Sequence, residues 1–79
     1  MYLAIKKVTP LDNYKLLLYF ENDEKRIFDL SPYLNLGKFT ELKDLSLFNS
    51  ARINFDTVEW ANHLDMDPEF LYLKSTPCN

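Results

Sequence analysis

The sequence predicts an α+β fold: a small antiparallel sheet, built as a three-strand meander plus a later hairpin, with short helices covering one face. Three observations predict it. Apolar residues alternate with period two over residues 14–20, and strand character resumes over 25–30 after four polar residues. Two cap-and-proline pairs, Ser31-Pro32 and Asp67-Pro68, mark helix starts. The chain has only 79 residues, which allows one domain at most. That domain is read as residues 1–74, with 75–79 as a frayed tail.

The elements follow in order. Residues 3–8 read as a strand, with Leu3 and Ile5 on one face and Ala4 and Val8 on the other. Thr9-Pro10-Leu11-Asp12-Asn13 is a turn cluster, in which proline fixes φ and Asp-Asn tolerates tight backbone. In 14–20, Tyr14, Leu16, Leu18 and Phe20 share a face; Lys15, Leu17 and Tyr19 take the other. That second face is half apolar, so the strand is expected to be central or covered on both sides. Glu21-Asn22-Asp23-Glu24 forms a solvated hairpin loop, since Asn and Asp accept left-handed backbone. The third strand leads into a short helix capped by Ser31, and Gly37 stands where a left-handed C-terminal residue is expected. Phe39, Leu42, Leu45 and Phe48 recur every three residues, which suits two short helical turns split near Asp44 or Ser46 and covering the sheet. Residues 51–55 read as a fourth strand with Ala51, Ile53 and Phe55 inward. Asp56-Thr57 is a turn, Val58-Glu59-Trp60 starts a fifth strand, and Asp67-Pro68-Glu69 opens the last helix.

Composition narrows the function. With 47% hydrophobic and 15% aromatic residues the chain has enough apolar surface to fold. A single core this small supplies about 3–5 kcal/mol, so a homodimer is one assembly to test. The formal charge of −3 argues against nucleic acid as a direct partner, which needs basic patches. A local patch from Lys6, Lys7, Lys15, Lys25 and Arg26 is the only route to one. The longest apolar run, residues 16–20, is far short of the ~20 residues of a membrane span. The N-terminus has its lysines after a short apolar stretch, the reverse of a secretory signal, so the expected compartment is the cytoplasm. The lone Cys78 has no internal disulfide partner; it reads as an exposed thiol, or as an intermolecular disulfide under oxidation.

Catalytic groupings are sparse. One histidine and one cysteine supply neither a nucleophilic pair nor a zinc set, and one glycine cannot cradle a phosphate. No catalytic, cofactor or metal site is assigned. The densest polar stretch, residues 59–69, holds four carboxylates with Asn62, His63 and the only tryptophan. Asn62, Asp65 and Asp67 would suit acid–base work or oxygen ligation of calcium or magnesium. The structural alternative has Asp67 capping a helix, Glu69 favouring its positive end, and Asn62 and Asp65 tying the loop to backbone. His63 has the chemistry of a switch near neutral pH, or of a solvated loop residue. Trp60, Asn62, His63, Asp65, Asp67 and Tyr72 form the candidate interaction surface, since aromatic rings among carboxylates suit protein recognition.

Four motifs carry a family resemblance along the chain: Tyr14-x-Leu16-x-Leu18-x-Phe20 before a polar turn; Phe28-Asp29-Leu30 before a short helix; Gly37-x-Phe39-x-x-Leu42-x-Asp44-x-x-x-Phe48; and Glu59-Trp60-x-Asn62-x-x-Asp65-x-Asp67-Pro68-Glu69-x-Leu71-Tyr72. In this order the chain resembles the bacterial family called domain of unknown function 2442. It departs in Asn22-Asp23, where glycine is frequent, and in Ala61 and His63, where proline and glycine are usual. The resemblance implies a small α+β domain that partners other small proteins, with several members suspected in toxin–antitoxin pairs, and it brings no catalytic residues. The expected function is a non-enzymatic interaction or regulatory domain, antitoxin-like, that neutralises a basic toxin-like protein by charge complementarity. The alternative is a small-ligand or metal-dependent enzyme using the Asn62, Asp65 and Asp67 loop.

Overall fold

Alternation in the second strand sets the core. In a computed structural model, which describes residues 4–78, β2 (Lys15–Phe20) lies between β1 (Ile5–Leu11) and β3 (Lys25–Asp29), antiparallel to both. Leu16, Leu18 and Phe20 are fully buried on one face, joined by Phe28 and Leu30 from the β3 segment. The expected meander is present, and β2 is central. The reading of Leu3 lies outside the described residues.

β1 departs from the expectation at both ends. Ile5 opposes Phe20 and Lys7 opposes Tyr19, so an extra residue bulges out at Lys6. The bulge resets the alternation, and Ile5 and Val8 both face the core rather than opposite sides. The strand also runs through Pro10 and Leu11, which pair with Leu16 and Lys15. Proline is tolerated there because β1 is an edge strand and its nitrogen owes no ladder bond. The turn begins later, as a 3₁₀ segment over Asp12–Tyr14, with Asn13 and Tyr14 at φ 64 and 60. The next loop is as expected: Asp23 is left-handed (φ 69), and the Asn22 side chain accepts from the Glu24 amide at 3.1 Å.

After β3, a 3₁₀ turn spans Ser31–Tyr33 with Pro32 in its first positions. Ser31 does not cap it. Asp29 accepts from both the Ser31 amide (3.0 Å) and its hydroxyl (2.7 Å), and the hydroxyl bond above all holds the Asp29 carboxyl below its usual range. Gly37 is left-handed at φ +49, as expected, and a second 3₁₀ segment, Gly37–Lys43, starts on it. Asp44 divides that segment from α1 (Leu45–Phe48) by accepting from the Ser46 amide at 3.0 Å. Leu42 and Phe48 are fully buried, but Leu45 is 57% exposed and does not cover the sheet.

The later hairpin forms a second sheet. β4 (Arg52–Asn54), β5 (Thr57–Glu59) and β6 (Asp65–Met66) pair antiparallel in that order, and Val58, Trp60 and Met66 enter the common core. Its turn is Phe55-Asp56, one residue earlier than expected. Phe55 therefore points outward, 92% exposed, and takes φ 57, a region costly for a bulky side chain. Phe55→Asn is expected to raise stability by about 0.5–1 kcal/mol, read as an increased urea midpoint at constant slope.

α2 (Pro68–Lys74) packs beside β3 and leads into β7 (Thr76–Pro77). β7 pairs antiparallel with β3, Arg26 opposite Pro77 and Ile27 opposite Thr76, and the Cys78 amide donates to the Lys25 carbonyl at 2.8 Å. Within the segment read as a frayed tail, Ser75 is buried and Thr76–Pro77 form the fourth strand of the first sheet. Two residues show no alternation, so periodicity could not reveal it. Among the described residues, no helix is long and apolar enough to cross a membrane.

Candidate functional site

The stretch from Trp60 to Tyr72 was read as one surface; the fold divides it three ways. Trp60 belongs to the core. It is fully buried, and its indole N–H donates to the Phe48 carbonyl at 3.1 Å. A residue so placed holds α1 against the second sheet and offers nothing to a partner.

Asn62 and His63 occupy the turn between β5 and β6. The turn closes by the His63 amide donating to Trp60 and the Trp60 amide donating to Leu64, each at 2.9 Å. His63 takes φ 68, a left-handed backbone that favours glycine over a residue with a side chain. Asn62 accepts from the Leu64 amide at 3.1 Å and donates to Glu41 at 3.0 Å, tying the turn as expected and also to the 3₁₀ segment. The His63 Nδ1 lies 3.8 Å from Glu59, whose other carboxylate oxygen receives Arg52 at 3.1 Å.

Asp65 and Asp67 come together at a different place. Asp65 is an exposed strand residue opposite Glu59, not a loop tie. Asp67 sits at the cap position of α2 with extended backbone, but its side chain makes no capping bond. Both line a depression of about 350 Å³ whose other walls are Tyr33, Phe39, Met66 and Phe70. Two of its aromatic rings support each other: Tyr33 and Phe70 meet edge to face at 5.7 Å, and the buried Phe28 packs on both, at 5.6 and 6.1 Å. The result is an apolar hollow with two carboxylates on its rim. The three-residue spacing places Phe39 among the residues covering the sheet and uses neither Tyr33 nor Phe70.

Tyr72 is part of a separate cluster at the sheet edge. Its ring meets Phe20 edge-on at 5.1 Å, and the Arg26 guanidinium lies 4.3 Å above its face. Its hydroxyl donates to Glu24 at 2.6 Å, and Glu24 also receives Arg26 at 3.0 Å. Arg26 turns its other nitrogens to Ser75, at 2.7 Å to the hydroxyl and 2.8 Å to the carbonyl. The Tyr72 bond is the main reason the Glu24 carboxyl lies below its usual range, with Asn22 and Arg26 adding to it. The same bond pushes the Tyr72 phenol above its usual value. Arg26, one of the five cations that a basic patch would require, is engaged here and fastens β7 to β3 through Ser75.

Among the described residues, no three His, Cys, Asp or Glu side chains gather closely enough to hold a metal ion. The family described as Protein of unknown function (DUF2442) matches residues 5–77. No curated protein and no solved structure matches the chain.

Proposed function

Starting from a chain that belongs to the DUF2442 family, we propose a non-enzymatic interaction domain, antitoxin-like in action, that docks a basic partner protein in the cytoplasm. The observation that carries this reading is the hollow with Asp65 and Asp67 on its rim and Tyr33, Phe39 and Phe70 in its walls. A lysine or arginine side chain suits such a place. Its methylene stem lies against the rings while its charged head meets the carboxylates. Both carboxylates are exposed and would steer a basic protein toward the hollow. Binding of this kind silences a toxin by covering its surface and requires no chemistry from the domain.

Co-expression with the product of the neighbouring gene tests the reading. The expected result is recovery of the two proteins as one complex, with growth restored. Asp65→Lys with Asp67→Lys should abolish both while the isolated domain keeps its circular dichroism spectrum, because both residues are exposed. A domain that stays alone, or a complex indifferent to both reversals, refutes the proposal.

A further inference from the structure

The first sheet has a second face, and its character is opposite. Helices and the second sheet pack on the side bearing Leu16, Leu18, Phe20 and Phe28. The other side carries half-buried Leu11, Leu17, Tyr19 and Ile27, aligned across the strands, with exposed Thr76 beyond them. Lysines mark its two ends. Lys7 and Lys25 flank Tyr19, their ammonium groups 5.6 and 5.7 Å from its ring. At the other end a hollow of about 360 Å³ is lined by Lys15, Ile27, Asp29, Lys74, Thr76 and Pro77. Asp29 is the one carboxylate among these residues; held ionised by Ser31 and set opposite Lys15, it offsets one charge and leaves this end net positive through Lys74. In the adjoining hairpin loop Glu24 is turned to Arg26 and Tyr72, and Asp23 lies 3.6 Å from Lys6, so only Glu21 competes there. A domain of net charge −3 thus concentrates four lysines around an apolar stripe.

We propose that this face docks an acidic amphipathic helix of a partner protein. Tyr19 and Lys15 are four residues apart on β2, so the two lysine groups stand about 13 Å apart. Carboxylates eight residues apart on one side of a helix stand about 12 Å apart, which matches that spacing. The apolar side chains between them would meet Leu17 and Ile27, completing the helix-on-sheet layer that this side lacks among the described residues. A nucleic-acid backbone has no use for the apolar stripe, and a second copy meeting this face symmetrically would set lysine against lysine.

The test titrates the full chain with a synthetic helical peptide carrying Glu at positions eight apart and leucines between them. Amide shifts should concentrate at Leu17, Tyr19, Ile27 and Thr76. Lys15→Glu with Lys25→Glu should weaken binding at least tenfold, and so should serine in place of the peptide leucines, with the domain's circular dichroism unchanged. The proposal is overturned if shifts fall elsewhere, or if the serine peptide binds equally well. It is also overturned if a single-stranded oligonucleotide binds more tightly than the peptide, or if the lysine reversals instead abolish a concentration-dependent dimer.

Discussion

Trp60→Ala is expected to cost about 3–5 kcal/mol, nearly the whole margin a core of this size supplies. The ring is fully buried, so truncation removes a large packing volume that the short helices cannot refill. The milder Trp60→Phe keeps most of the volume and removes the indole bond, while the Phe48 carbonyl keeps the Ala51 amide, so the loss is about 0.5–1.5 kcal/mol. Urea unfolding followed by circular dichroism separates these outcomes. Wild-type emission should be blue-shifted, because the only tryptophan is inside. An alanine variant as stable as wild type would return Trp60 to the surface and sink the account of the core given above.

Arg26→Ala should detach β7. The guanidinium joins Glu24, the Tyr72 ring and both oxygens of Ser75, and hydrogen bonds to a partly buried charge bring the expected loss to about 2–3 kcal/mol. Lysine should rescue little, since it lacks the planar fork that serves three partners at once. The Cys78 thiol is the natural reporter: its amide is bonded to Lys25, so its labelling rate should rise several-fold when the strand lets go. A labelling rate unchanged in Arg26→Ala would show that the guanidinium does not hold the strand. The latch should also follow pH. Glu24 titrates below its ordinary 4.5 when folded, so its contribution is complete above that value and is lost as acid brings the pH through the lowered one. Tyr72 titrates above its ordinary 10.0, so its contribution is complete below that value and is lost as base carries the pH through the raised one.

Local regularities of the sequence were legible; partnerships between distant segments were not. Alternation from Leu16 to Phe20 and the polar Asn22-Asp23 loop gave the meander, and the three-residue spacing with Asp44 gave the divided helical turns. Misreadings came where one residue changes the phase. A bulge at Lys6 brought Ile5 and Val8 to the same side, and a turn at Phe55-Asp56 sent Phe55 into solvent. The candidate site was half legible. Asp65 and Asp67 were singled out from the acidic stretch, but their aromatic walls come from residues 33, 39 and 70, which no local pattern associates. Trp60 and Tyr72 were grouped with them by nearness in sequence, and burial and the Arg26 cluster take them elsewhere.

The fourth strand of the first sheet also orders the folding in time. β1, β2 and β3 close through loops of a few residues and can pair early, whereas Arg26 and Ser75 are 49 residues apart and meet only once the intervening chain has condensed. Until then the outer edge of β3 is an open template for a neighbouring chain. Its Lys25, Arg26 and Asp29 are gatekeepers during that interval: charges on the growing edge resist intermolecular pairing, and in the last step Arg26 changes from guard to fastener.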